Sequence, residues 1–301
     1  MLPVALAVLA LAAPRPGGHA TIDVAVATLW KAPGLARAVD RPSLGNPVDP
    51  VAWSRNLATT ESRVWLDSHV QTQALYGQDV TVLSVRDGWA RVAVTDEPDP
   101  QDPRGYPGWL PLRQLATGFA GGGREVVVTA RTATLRVAGR TIALSYGTRL
   151  PLVRRVRGGV LVRTPDGEGT LTGFATASPA PPTGGAVVAS ARRFLGVRYL
   201  WGGLAAWGFD CSGLVWGVFR AHGVTIPRDA DPQFRHGRAV ALDALRPGDL
   251  VFYGTPSSVE HVAIYAGGGR MIEAPDSAHR VRLVPLRRDR WLVGARRYTT
   301  G

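Results

Sequence analysis

Between positions 62 and 115 apolar and polar residues alternate with a period of two, in short runs broken by turn residues. Val80-Thr81-Val82-Leu83-Ser84-Val85, the turn Arg86-Asp87-Gly88 and Trp89-Ala90-Arg91-Val92-Ala93-Val94 together predict a β-hairpin. An Asp- and Pro-rich insertion over 96–104 leads to Gly105-Tyr106-Pro107-Gly108-Trp109-Leu110, and the pattern closes at Leu115. The theme repeats more loosely at 125–129, 141–145 and 150–156, followed by the turn Arg157-Gly158-Gly159 and a run over 160–164. Two small β-barrels are expected.

The period then changes. Val187, Val188, Ala191, Phe194 and Leu195 recur at helical spacing and stop at Gly196, which predicts a helix with a glycine C-cap. Asp210 is placed to cap a second helix whose first residue is Cys211 and whose apolar positions recur through Phe219. Further on, Leu250-Val251-Phe252-Tyr253 and His261-Val262-Ala263-Ile264-Tyr265 read as strands, the latter breaking at Gly267-Gly268-Gly269 before Arg270-Met271-Ile272-Glu273-Ala274.

The expected organisation is a leader over 1–20, an extension over 21–59 packing on the first barrel, barrels over 60–117 and 124–177, a linker over 178–185 and a final domain over 186–301. The leader rests on the apolar run Leu2 to Ala13, too short to span a bilayer, followed by Gly17-Gly18-His19-Ala20. No Lys or Arg precedes Leu2, so a cytoplasmic location is the alternative to export.

A length of 301 residues accommodates two or three domains. With 45% hydrophobic and 19% charged residues the chain is neither a disordered polyelectrolyte nor a transmembrane bundle, and 36 Gly with 23 Pro excludes an all-helical fold. The net charge of +12 is carried almost wholly by arginine, Lys31 being the single lysine. Such a surface attracts polyanions. The arginines are spread along the chain instead of grouped with aromatics, which argues against nucleic acid, and charge alone does not choose between an anionic membrane surface and a wall polymer carrying carboxylates and phosphates.

The one cysteine, Cys211, excludes an internal disulfide and any multi-cysteine metal site. In the first turn of a helix, unpaired amides and the dipole favour thiolate over thiol. A nucleophilic thiol also needs a base, and the base needs an orienting group. A hairpin centred on Gly267 places His261 opposite Glu273 on one sheet face, and a shift of one residue in that centre keeps them diagonal neighbours. A carboxylate there would fix the imidazole tautomer and stabilise imidazolium. Taken alone, Cys211 reads as a small buried hydrophobe and His261 as a solvated strand-edge histidine; their neighbours reverse that reading.

Tyr199-Leu200-Trp201-Gly202-Gly203, Phe209-Asp210-Cys211-Ser212-Gly213-Leu214-Val215, Ile226-Pro227-Arg228-Asp229-Ala230, Leu245-Arg246-Pro247-Gly248-Asp249-Leu250 and His261-Val262-Ala263-Ile264-Tyr265 resemble, in order and spacing, the signatures of the NlpC/p60 cysteine peptidases. The hairpin, Gly-Trp and closing Leu resemble bacterial SH3-like domains over 60–117 and more weakly over 124–177. Val24–Trp30 and Thr72–Gly77 narrow that likeness to SH3-like domains fused to wall peptidases. The whole chain is similar to γ-D-glutamyl-L-diamino-acid endopeptidases of peptidoglycan.

The resemblance implies a multidomain chain: two small all-β SH3-like barrels, then an α+β papain-like catalytic domain. It makes Cys211 the nucleophile and His261 the base. Glu273 falls where many members carry His, Asn or Gln. Tyr199 matches a tyrosine that helps hold the developing oxyanion alongside the Cys211 amide. Asp210, Ser212 and Asp229 match positions that bind the stem peptide and its free L-Ala amine, although Asp210 serves equally as a helix cap and Asp229 as a turn residue. Tyr106 matches a residue that walls off the far end of the cleft. Gln71 stands near a position where these enzymes carry a glutamate for the substrate amine, so its neutrality predicts weaker selection for a free N-terminus. No metal or cofactor is implied. The expected protein is a secreted or wall-associated monomer acting on stem peptides or muropeptides; an amidase or acyltransferase on the same fold and a catalytically silent wall-binding protein are the rival readings.

Overall fold

The computed structural model describes residues 13–119, 121–173, 175–177 and 182–299, so most of the expected leader and residues 178–181 of the expected linker lie outside the described residues. The alternating front half resolves into two antiparallel sheets, each of seven strands among the described residues. The first runs in the order Val70–Leu75, Val26–Trp30, Tyr106–Pro111, Trp89–Val94, Asp79–Arg86, His19–Ile22, Leu115–Ala116. Its hairpin closes with Arg86 opposite Trp89, and Asp87 and Gly88 carry φ of 50° and 77°. Left-handed backbone at both turn positions matches the twist of the flanking strands, which is why Asp-Gly stands there.

The stretch 21–59, expected to pack on this barrel from outside, supplies one of its strands. Val26–Trp30 pairs with Val70–Leu75 on one side and meets Trp109 on the other. His19–Ile22, which begins inside the expected leader, pairs with residues 79–81. The reason these strands escape a period-two reading is burial on both faces: all five residues of Val26–Trp30 are buried. Ala27 and Leu29 point into the first sheet's own core, while Val26 joins the core of the C-terminal unit.

The second sheet is ordered Arg140–Ser145, Thr132–Val137, Gly167–Thr172, Gly159–Thr164, Arg149–Val156, Glu125–Val128, Ala175–Ala177. The C-terminal unit has an antiparallel six-stranded sheet, in the order Arg238–Val240, Leu292–Arg297, Leu250–Thr255, Ser258–Gly267, Arg270–Glu273, Arg282–Pro285. Helices Gly184–Arg192 and Cys211–Ala221 cover one face, where Leu214, Val215, Val218 and Phe219 share a core with Val262, Ile264 and Ile272. The other face carries a smaller cluster built on Val251, Tyr253, Ala263 and Met271.

Three units share one hydrophobic core. Leu75 from the first sheet and Val127 and Tyr146 from the second belong to the same cluster as the Cys211 helix. Polar contacts reinforce the seam: Arg220 donates to Asp96 and to the Gly147 carbonyl, both at 2.6 Å, and Arg63 donates to the Ser277 carbonyl at 2.9 Å. Among the described residues no helix is long and apolar enough to cross a membrane.

Candidate active site

The helix Cys211–Ala221 begins where Asp210 sits in extended backbone and its Oδ1 accepts from the Gly213 amide at 2.6 Å. This is the N-cap that satisfies an otherwise orphaned amide. A Cβ at Gly213 would stand 2.1 Å from the Gly203 carbonyl oxygen, so only glycine lets the helix start against the turn 199–203. Tyr199 is thereby brought beside Cys211. It is 5% exposed, and burial together with the nearby Cys211 and Asp210 pushes its phenol upward, so it remains a proton-bearing donor.

Asp210 does more than cap. Arg228, fully buried, donates to both of its oxygens at 3.0 and 2.8 Å and also reaches Ser212 Oγ at 3.0 Å and Thr72 Oγ1 at 2.9 Å. Thr72 in turn donates to Glu97 at 2.8 Å, a buried carboxyl that desolvation raises to about 8 and so keeps neutral near pH 7. Asp229 lies 3.8 Å from the same guanidinium and accepts from the Tyr106 hydroxyl at 2.8 Å. Burial, only partly offset by Arg228, raises Asp229 to about 6.

On the sheet, the hairpin has Ile264 opposite Ile272 and Tyr265 opposite Met271, with Gly268 and Gly269 at φ of 58° and 67° forming the turn. The centre lies one residue beyond Gly267, so His261 and Glu273 are diagonal neighbours on one face. They touch: His261 Nε2 lies 2.9 Å from Glu273 Oε2. Glu273 is fully buried, and its hydrogen bonds to His261 and Arg282, with the charge of Arg287, outweigh burial and bring it down to about 2. An ionised carboxylate only accepts, so Nε2 carries a proton. The other ring nitrogen is left for the Cys211 thiol, whose proximity favours the charged imidazole. Burial works against the charged imidazole, yet the contacts with Cys211 and Glu273 prevail and raise it to about 9.

These groups face a cleft of about 890 Å³ between the first sheet and the C-terminal unit. Cys211, His261 and Tyr199 line it, as do Asp210, Ser212 and Asp229 from the same unit. Tyr106 and Gln71 enter from the first sheet. Glu273 alone of the expected site residues lies behind the wall, at the back of His261. The sequence reading did not single out Arg228, Arg282, Arg287 or Asp67. Asp67 lines the cleft four positions before Gln71, with one buried carboxylate oxygen lacking a partner, and desolvation raises it to about 6. The arginines join segments distant in sequence, so no local pattern marks them; the place of Arg228 between Pro227 and Asp229 in a motif is the one available signal.

A family profile described as "NlpC/P60 family" matches residues 196–297, and one described as "Bacterial dipeptidyl-peptidase Sh3 domain" matches 66–115. The chain is 38% identical over 303 residues to a Gamma-D-glutamyl-L-lysine dipeptidyl-peptidase of Bacillus cereus, covering 93% of this chain and 90% of that one. It is 36% identical over 280 residues to the Bacillus subtilis protein of the same name, covering 88% and 93%. The crystal structure of an NlpC/P60 family protein from Bacillus cereus superposes with a TM-score of 0.87 at 36% identity, covering 94% of this chain and all of that one.

Proposed function

The chain belongs to the NlpC/P60 family, and from that premise we propose that it is a cysteine peptidase that hydrolyses the bond between the γ-carbonyl of D-glutamate and the diamino acid in peptidoglycan stem peptides. The observation that carries this reading is the alignment of thiol, imidazole and buried carboxylate at the start of a helix: Cys211 and His261 face one cleft, and His261 is bonded to Glu273 at 2.9 Å.

The chemistry follows from that alignment. The thiol gives its proton to His261, and the thiolate attacks the γ-carbonyl carbon of D-glutamate. The oxygen that gains charge is met by the Cys211 amide and the Tyr199 hydroxyl. Imidazolium then passes its proton to the nitrogen of the diamino acid, the C–N bond breaks, and a thioester remains. Water, losing a proton to His261, attacks the thioester, and the sulfur leaves as thiolate.

Two SH3-like barrels and a papain-like catalytic unit are the finer reading of the fold, with the first barrel forming one wall of the cleft. Asp229, Tyr106, Asp210 and Ser212 then hold the peptide on the side of the acyl group that stays on the sulfur. Gln71 brings no charge to the substrate amine, and Asp67 supplies a carboxylate on the same wall. We place the protein outside the cytoplasm or on the wall, as a monomer, its arginine-rich surface drawn to anionic polymer.

The test is incubation with L-Ala-γ-D-Glu linked to lysine or to diaminopimelate, and with N-acylated versions, read by mass spectrometry. Release of L-Ala-D-Glu and the free diamino acid is expected from the wild type and not from Cys211→Ala. Unchanged turnover in Cys211→Ala would falsify the assignment, and a different cleaved bond would favour an amidase.

A further inference from the structure

Glu273 is held from behind. Arg282, directly across the sheet from it, donates Nε to Oε1 at 2.9 Å and places Nη2 on the same oxygen at 2.8 Å. Arg287 places Nη1 between both oxygens, at 3.3 and 3.2 Å. Arg287 is itself anchored: its guanidinium lies 4.5 Å over the Tyr253 ring, and the Tyr253 hydroxyl donates to its carbonyl at 3.1 Å. We propose that Arg282 and Arg287 are positioning residues that hold the Glu273 carboxylate against His261 and cancel part of its charge, so that the acid orients the imidazole while favouring its charged form less than an unopposed carboxylate would.

A carboxylate bonded to imidazole favours imidazolium, and an imidazole that never gives up its proton cannot act as the base that deacylation requires. Glu273 with its two arginines sums to +1, so His261 meets the hydrogen-bond geometry of a carboxylate inside a cluster that carries no net negative charge. The forked guanidiniums also fix the carboxylate plane, since between them they occupy both of its oxygens and leave Oε2 to share with the ring.

The other groups facing His261 do not supply this balance. Cys211 faces it from its helix, and Tyr253, uncharged, stands opposite it on the neighbouring strand with ring centroids 5.8 Å apart. From the helix Ala230–His236, Asp231 accepts from the Val259 amide and is paired with Arg235. Glu260 is next along the same strand and exposed. The helix Gly184–Arg192 turns only Val187, Val188, Ser190 and Ala191 inward.

The proposal rests on the thiol-peptidase reading, but its test does not need turnover. Labelled histidine NMR reads the titration of His261 directly, and because Cys211 is the sole cysteine, alkylation by iodoacetamide reports one sulfur. Arg287→Gln removes a positive charge, so the His261 titration should rise by about half to one pH unit, the modest size reflecting its partial exposure. Glu273→Gln raises the cluster from +1 to +2 and should lower the titration by more than one unit, with the alkaline limit of alkylation falling in parallel. Adding Arg282→Gln and Arg287→Gln to Glu273→Gln returns the cluster to neutral; the titration should recover, and kcat/KM should rise at least tenfold over Glu273→Gln alone. Arg287→Lys, which keeps the charge, should titrate like wild type and guards against misfolding of the Gln variant. An Arg287→Gln titration that stays put or falls, or a triple variant no better than Glu273→Gln, overturns the proposal. A wild type that leaves the tripeptides intact sinks the peptidase reading instead, with the titrations still judging the arginines.

Discussion

Two arginine–carboxylate clusters, each built on a buried carboxylate, stand near the thiol and carry opposite charge. On the side of the helix cap, one guanidinium, Arg228, serves two carboxylates, Asp210 and Asp229. On the side of the sheet, two guanidiniums, Arg282 and Arg287, serve one carboxylate, Glu273. The first is acid-rich and opens into the cleft through Asp229, where a cationic substrate group would be received. The second is base-rich and sits behind His261, its carboxylate buried and its two guanidiniums partly exposed. In the proposed function the same residue types do different work: one cluster addresses the ligand, the other the reacting imidazole.

The largest effect is expected from breaking the acid-rich cluster at its centre. Arg228→Met leaves Asp210 buried without its partner, and equilibrium urea unfolding should show a loss of about 3–5 kcal/mol. A loss below about 1 kcal/mol would mean that Asp210 finds another partner and that the cap does not depend on Arg228. Next comes the group between the clusters. Tyr199→Phe should lower kcat by about a hundredfold with KM nearly unchanged, because an oxyanion donor acts in the transition state. An effect confined to KM would move Tyr199 to the ground state and out of the oxyanion role. The smallest change tests the mouth. Tyr106→Phe removes the hydroxyl that holds Asp229 at 2.8 Å and should raise KM several-fold, a loss of about 1 kcal/mol, with kcat little altered.

The two clusters were unequally legible in the sequence. Cys211 and His261 stood in motifs, and the parity of a hairpin sufficed to bring Glu273 to the right face although the turn lies one residue further along than expected. Side-chain period in a strand is two, so an error of one residue in the centre shifts the pairing by two and keeps the face. Arg282 and Arg287 gave no such signal, since Arg282 depends on a third strand and Arg287 on the ring of Tyr253. Arg228 was visible in a motif without its task, which requires Thr72 from another sheet.

The fold divides the same way. The hairpin Asp79–Arg86 with Trp89–Val94 declared itself by alternation and by an Asp-Gly turn. The strand Val26–Trp30 did not, because it is buried against its own sheet on one side and the C-terminal unit on the other, which erases the polar half of the pattern. Where two units share a core, the sequence of each looks like an interior.

The seam at Tyr106 and Asp229 joins side chains 123 positions apart, one from each unit. One wall of the opening is thus inherited on a different piece of chain from the sulfur. Exchanging the front piece would change that wall, and because both pieces close over one core the back piece leans on its neighbour for its edge as well as its gauge.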